Sequence, residues 1–216
     1  MINSNTITIS KNQPVVKNKG YLHFTFSVII ALMILTLISC ENEFSPKPKG
    51  YNRLELPQAV YTQLPDTLPY NFSYSAFADI TRDSSWISER FWIDLTYPEL
   101  GATIQITYKS VEGNKKYLKE YLHDSYNLTS KHNVKAYAID EAVINLSNGG
   151  RATVMSLSGE VPSPFQFHVT DSLNHFMRGA LYFKTSTKND SLAPVINYVK
   201  NDIIHMLNSL EWNDSI

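Results

Sequence analysis

Apolar and polar side chains alternate along two neighbouring stretches in the middle of the chain. The apolar positions are Phe91, Ile93, Leu95, Tyr97, Ile104, Ile106 and Tyr108. A period of two is typical of a β-strand with one polar face, and residues 98–101 between the stretches include a proline and a glycine. The pattern therefore predicts a β-hairpin.

Four more strands are predicted farther along the chain. Residues 135–146 run into an Asn-Gly pair, the strongest short-range signal for a hairpin turn, and a return strand follows it. Residues 165–170 and 175–183 are then joined by residues 171–174, which favour a turn. These segments predict an antiparallel meander.

Two amphipathic helices complete the prediction. Within residues 114–131, the positions at helical spacing are Leu118, Tyr121, Leu122, Ser125 and Leu128. The last element opens at Ser191, has Pro194 in its first turn, and repeats apolar residues at intervals of three and four. The order predicts an α+β fold: a mostly antiparallel sheet of about six or seven strands covered by these helices.

The N-terminal segment has a different pattern. Residues 24–38 contain no charge, and Lys11, Lys17 and Lys19 precede them. A basic region followed by an apolar one is the order of a signal peptide. The apolar run has about fifteen residues, fewer than the ~20 that a membrane-spanning helix needs.

The apolar run ends in Leu37, Ile38, Ser39 and Cys40, which resemble a lipobox. We expect the signal peptidase to recognise Leu37, Ile38 and Ser39 and to cut before Cys40, which would carry diacylglycerol and palmitate. The alternative is an uncleaved anchor with an incidental cysteine. The predicted organisation is a signal peptide over 1–39, a Pro/Lys tether over 40–50 and one domain over 51–216.

Composition narrows the possible functions. Without the signal peptide, 177 residues remain with a net charge of about −4, which leaves no basic stripe for nucleic acid. Cys40 is the only cysteine, so the domain can have neither an internal disulfide nor a thiol nucleophile. We expect no cofactor and no metal.

Residues 165–178 are the densest cluster of candidate chemistry, with two histidines, an acid and an arginine. If residues 171–174 form the whole loop, His168 and His175 lie on one sheet face as diagonal neighbours. Two imidazoles can share a metal, but no third ligand is nearby in the sequence. The alternative is that Asp171 or Ser172 caps the turn by bonding its own backbone, while the histidines cover a sheet face.

Two acids, Asp140 and Glu141, lie inside a predicted strand. Because neighbouring strand residues point to opposite faces, one acid must face a neighbouring element. We expect a structural salt bridge there, and the alternative is an acid/base role.

Several short blocks along the chain are specific in combination. The opening block is Pro46, Lys47, Pro48, Lys49, Gly50 and Tyr51. The later blocks are Tyr97-Pro98, residues 102–104, 131–136 and 164–172, His175 to Phe183, and Asp202 to His205. In this order the blocks resemble one family, the GldD gliding motility lipoproteins of the Bacteroidota, and the resemblance spans residues 40–212.

This resemblance implies an envelope lipoprotein, held to the inner or outer membrane, with its domain in the periplasm. It implies a non-enzymatic assembly role in gliding and type IX secretion, with other envelope lipoproteins as partners and Pro46 to Tyr51 as a contact segment. The alternative is an envelope small-ligand binder or hydrolase that uses the 165–178 hairpin.

Overall fold

The computed structural model describes residues 23–24, 26–30, 55–184 and 189–216. The chain forms two compact units, Met1–Pro48 and Lys49–Ile216. In the first unit, residues 23–24 and 26–30 are helical. The predicted lipobox at 37–40 and the predicted contact segment at 46–51 lie outside the described residues. Over those described ranges, no helix is both long and apolar enough to cross a membrane.

The second unit contains eleven strands and two α-helices over its described residues. The strands are β1 Tyr61–Gln63, β2 Tyr70–Asn71, β3 Ser73–Ser75, β4 Asp79–Arg82, β5 Ile93–Tyr97, β6 Ala102–Ser110, β7 Ala136–Asn145, β8 Arg151–Gly159, β9 Phe165–Thr170, β10 His175–Phe183 and β11 Glu211–Trp212. The helices are α1 Lys115–Ser130 and α2 Asn189–Asn208, with short 3-10 helices at Pro98–Leu100 and Lys131–Val134.

Seven strands form one antiparallel sheet in the order β4-β5-β6-β10-β9-β8-β7. The last strand of the meander, β10, therefore pairs with β6 of the first hairpin and lies at the centre of the sheet. Two small sheets, β1-β3 and β11-β2, complete the unit. The predicted α+β fold with a mostly antiparallel sheet is confirmed.

The main core lies between one face of the sheet and α2. The buried helix residues are Val195, Val199, Ile203, Met206, Leu207 and Leu210. Their spacing of three and four places them on one stripe. Ile93, Leu95, Ile104 and Phe167 are among the buried sheet residues of the same core. The amphipathic pattern of the C-terminal segment is thus explained by this contact.

The second sheet face is only partly covered, by α1. Asn114 caps this helix, because its side-chain oxygen accepts a hydrogen bond from the Lys116 backbone N–H at 3.0 Å. Ser125 and Thr129 are the buried helix residues, whereas Leu128 is 41% exposed. The predicted helix is confirmed. Its buried contacts are made by small hydroxyl residues, which face the polar side chains of the sheet.

The β9–β10 hairpin has a different register from the predicted one. Thr170 lies opposite Phe176 rather than His175. Ser172 adopts the left-handed region at φ 68°, and the Asp171 carboxylate accepts hydrogen bonds from the backbone N–H groups of the next residues, 173–175. The connection is one residue longer than expected, and a one-residue slip moves every β10 side chain to the other face.

Strand β7 lies at one edge of the sheet, and the environment of its two acids differs from the expected one. Asp140 and Glu141 are both exposed, and the ion pairs between described residues include neither of them. No described residue therefore supplies the partner of the predicted salt bridge. An edge strand has no neighbour on one side, so its charges can remain in water.

Candidate functional site

A groove of about 380 Å³ opens on the second sheet face, beside α1. It is lined by Asp83, Ser85, Ile87, Trp92, Gln105, Thr107, Lys109, Tyr121, Asp124, Ser125, Leu128, Phe176 and Arg178. The volume lies within the ~300–1,000 Å³ range of small-molecule sites. The groove exists because α1 leaves β5 and β6 uncovered on this face.

The floor of the groove follows from strand alternation. On β6, the residues with buried apolar side chains face α2, and those between them, including Thr107 and Lys109, face the groove. Arg178 lies opposite Thr107 on the neighbouring strand. Trp92 and Asp83 line the groove beside this floor, and the Asp83 N–H donates to the Trp92 carbonyl at 3.3 Å.

Arg178 is the charged residue at the inner end of the floor. Its Nη2 donates to Oε1 of Gln166 at 2.7 Å, and the same oxygen accepts from Thr129 Oγ1 at 3.0 Å. Its Nε is buried without a hydrogen-bond partner among the described residues. Burial lowers the pKa of the guanidinium, with Tyr182 acting in the opposite direction. The cation therefore has two uncharged partners, the amide oxygen of Gln166 and the hydroxyl of Tyr182.

Lys109 at the rim is already neutralised. Its ammonium group forms an ion pair with Glu89 and lies 5.3 Å from the ring centre of Trp92. The Trp92 Nε1–H donates to the Tyr108 carbonyl at 2.9 Å, which fixes the indole. Trp92 thus forms a positioned aromatic wall.

His168 lies beneath α1, close to Arg178. Its Nδ1 is 3.2 Å from the Ser125 hydroxyl, and its ring stacks on Phe176 with the ring centres 6.0 Å apart. Burial, and secondarily the charge of Arg178, lowers the pKa of His168 to about 4. At neutral pH the imidazole is uncharged and forms part of the contact between helix and sheet.

His175 lies on the opposite face of the sheet. Its Nδ1 is 2.7 Å from the Tyr108 hydroxyl, its Nε2 is 2.9 Å from Oδ1 of Asp214, and its ring stacks on Trp212 at 4.9 Å. The expectation that His168 and His175 share a face is therefore wrong. Over the described residues, no group of three or more His, Cys, Asp or Glu could hold a metal ion.

A second polar centre lies within the main core, on α2. Asp202 is 3% exposed and accepts hydrogen bonds from the hydroxyls of Tyr61 at 3.0 Å and Tyr97 at 3.1 Å. One turn later, Nε2 of His205 is 2.6 Å from the Ser73 hydroxyl. The His205 ring stacks on Tyr61 at 3.5 Å. Among the described residues, no acid accepts a hydrogen bond from this histidine as in a catalytic triad, because Asp202 accepts from the tyrosines.

Residues 41–212 match the family described as gliding motility lipoprotein GldD. The chain belongs to this family. Its members are lipoproteins of gliding motility, so membership supports a role in the gliding apparatus and an association with the cell envelope. The matched range begins one residue after Cys40 and includes both the groove and the Asp202 centre.

Other comparisons add little for this GldD-family chain. A search of curated proteins gives no match. Among solved structures, it is similar to the solution structure of cyanobacterial PsbP (CyanoP) from Synechocystis sp. PCC 6803, with a TM-score of 0.44 and 8% identity. The similarity covers 73% of this chain and 95% of that one.

The structure brings together only part of the hairpin that the sequence singled out. His168, Phe176 and Arg178 of the GldD-family domain lie on the groove side, whereas His175 lies on the other face and Glu141 is exposed on the edge strand. The hydrolase alternative required these groups to converge, so it is not supported. The sequence did not indicate that Trp92, Thr107 and Tyr121 belong to one site with Arg178. Only the packing of the sheet and α1 brings these residues together.

Proposed function

We propose that this protein is a non-enzymatic assembly and stabilising component of the gliding motility and type IX secretion machinery, anchored by lipid on Cys40. Its partners are other envelope lipoproteins of that apparatus. The observation that carries the proposal is the family match over residues 41–212.

The proposed anchor explains how such a component stays at its site of action. A signal peptide ending at Ser39 is removed, and acyl chains on Cys40 insert into the inner or outer membrane. One chain binds only marginally, whereas two or more hold a protein stably. Residues 40–50 are then a spacer, with the domain in the periplasm.

The contacts of the buried polar groups suit a rigid scaffold. His175 joins the C-terminal segment to the sheet, His168 joins α1 to the sheet, and Asp202 joins α2 to Tyr61 and Tyr97. Each contact links segments that are far apart in the sequence. A buried polar network with satisfied partners makes a fold specific and rigid.

The proposed contact segment is Pro46 to Tyr51, with the sequence Pro-Lys-Pro-Lys-Gly-Tyr. Prolines favour an extended chain that presents neighbouring side chains at low entropic cost. Lys47 and Lys49 supply positive charge next to a domain of net negative charge. This combination suits an acidic groove or surface on a partner lipoprotein.

The anchor is tested with Cys40→Ala in the full chain. We expect the variant to lack acyl groups by mass spectrometry and to leave the membrane fraction on salt washing. Protease treatment of intact cells and of spheroplasts then locates the domain. Stable, salt-resistant membrane attachment of the alanine variant would show that another feature anchors the protein.

The partner role is tested by capture of the lipidated protein from solubilised envelopes, with an unrelated lipoprotein as the control. We expect enrichment of gliding and secretion lipoproteins. The double variant Lys47→Ala/Lys49→Ala should lose them, whereas the matched double variant Lys115→Ala/Lys116→Ala, on exposed positions of α1, should retain them. Recovery equal to the unrelated lipoprotein contradicts the proposal.

A further inference from the structure

The inner end of the groove holds a positive charge, on Arg178, that has no counter-ion among the described residues. Arg178 contacts the amide oxygen of Gln166, and no ion pair between described residues includes this arginine. An ionised group out of water is costly unless an opposite charge compensates it. Lys109, the other cation of the groove, already has Glu89. Of the two groove cations, Arg178 is thus the one that has no acid as a partner among the described residues and can bind an anion.

The walls around Arg178 indicate what the anion is attached to. Phe176 is buried beside it, and Tyr121 packs on Phe176 with the ring centres 5.7 Å apart. Trp92 and Leu128 form the opposite and outer walls. Apolar and aromatic lining with few polar groups is typical of a site that encloses an apolar body and orients it by one charge.

The acids of the groove indicate how much charge the ligand carries. Asp83 and Asp124 line the groove, and their carboxylates repel a second negative charge on a bound molecule. A multiply charged phosphate is therefore disfavoured. A carboxylate matches the planar guanidinium and carries a single charge.

From these features we infer that the groove binds a carboxylate attached to an apolar or aromatic group, with the carboxylate at Arg178 and the apolar group between Trp92, Tyr121 and Phe176. Two sources share this chemistry: a free small organic acid and the C-terminal residue of a peptide. The site is separate from the proposed lipid anchor and contact segment, so either proposal can fail without the other.

The test titrates the full chain in detergent micelles by calorimetry, with empty micelles as the blank. The probes are N-acetyl-phenylalanine and its neutral amide, which differ only in the carboxylate. A hydrogen bond to a charged group contributes ~1.5–3 kcal/mol, so we expect the acid to bind about ten- to a hundredfold more tightly than the amide. Equal affinities, or no binding of the acid, overturn the inference.

Two further probes define the ligand. Inorganic phosphate should not displace N-acetyl-phenylalanine, and displacement would contradict the carboxylate assignment. A peptide of three glycines ending in phenylalanine, with a free C-terminus, distinguishes the two sources. Tighter binding of the peptide supports a peptide terminus, and weaker binding supports a small organic acid.

Matched variants locate the site. Arg178→Gln should abolish the preference for acid over amide, whereas Arg151→Gln, at an exposed position on β8, should keep it. Because Arg178 contacts the interior, Leu128→Trp provides an independent test from the rim. We expect this bulky residue to block the groove, whereas Tyr126→Trp, on the exposed side of α1, should bind normally. Unchanged binding in Leu128→Trp overturns the proposed location.

Discussion

The Oδ1 atom of Asp214 lies 2.9 Å from Nε2 of His175 and fastens the C-terminal segment to the start of β10. Hydrogen bonds from His175 and Asn174 lower the pKa of Asp214. A lowered folded-state pKa means that this contact stabilises the fold above the unfolded carboxyl pKa of about 3.9 and is lost as the pH falls through the lower folded value.

We therefore expect Asp214→Asn to release the end of the chain at neutral pH. Hydrogen exchange of the backbone amides of β11 should accelerate, while the exchange of the central strands stays unchanged. The control is Glu211→Gln. Glu211 is an exposed acid on β11, and no ion pair between described residues includes it. Equal exchange in both variants would show that Asp214 does not fasten the segment.

A second prediction concerns the acid stability that His168 provides. Burial and the charge of Arg178 lower the pKa of His168 to about 4. The unfolded chain takes up a proton near pH 6.5, whereas the folded protein does not. The neutral imidazole therefore contributes its full stabilisation of the fold above pH 6.5, and this contribution is lost as the pH falls towards 4. At ~1.4 kcal/mol for each pKa unit, the loss is on the order of 3 kcal/mol.

The measurement is urea unfolding between pH 7 and pH 4 for wild type, His168→Gln and the exposed control His123→Gln. We expect a flatter pH dependence only in His168→Gln. The imidazole resonances of wild type should also show a group that titrates near pH 4. A His168 titration near pH 6.5 would mean that its ring is solvated.

Local signals were enough to predict most elements. Asn114 marks the start of α1, and the alternation around Leu95 and Ile104 gives the first hairpin. Such features depend on residues within a few positions of each other. The β9–β10 register depended instead on Ser172 at positive φ, a conformation that serine rarely adopts and that no neighbouring residue signalled.

The polar sites were harder to predict because they join distant segments. Tyr61 reaches Asp202 across 141 positions, and Ser73 reaches His205 across 132. No sequence spacing encodes those contacts; the sheet order does. The groove has the same origin, since Arg178 and Trp92 become neighbours only when β10 pairs with β6 and β6 with β5.

A third prediction follows from the Asp202 centre. Burial raises the pKa of Asp202, and the hydrogen bonds from Tyr61 and Tyr97 act against it. Because the folded-state pKa exceeds the unfolded one, this carboxyl stabilises the fold at low pH, and that contribution is lost as the pH rises through the raised value.

Asp202→Asn keeps a polar group at this position but cannot ionise. We expect its unfolding free energy, relative to wild type, to increase as the pH is raised from 4 to 7 in urea titrations. Asp202→Ala should lose about 1–3 kcal/mol at pH 4, because both tyrosine hydroxyls are left without an acceptor. Since alanine cannot ionise either, its difference from wild type should change with pH in the same direction as that of Asp202→Asn. A pH-independent difference between Asp202→Asn and wild type would contradict the raised pKa.

The last prediction concerns Gly179 in the centre of the sheet, which lies opposite Phe167 on β9. A Cβ atom at this position would overlap the ring of Phe167, which is fully buried and packed in the main core. We expect Gly179→Ala to cost about 1–3 kcal/mol of unfolding free energy, the usual penalty for overpacking a core. In a Phe167→Leu background the same substitution should cost less, because the shorter side chain leaves room for the methyl group. A double-mutant cycle from urea unfolding measures this coupling, and additive costs would show that the ring does not require glycine here.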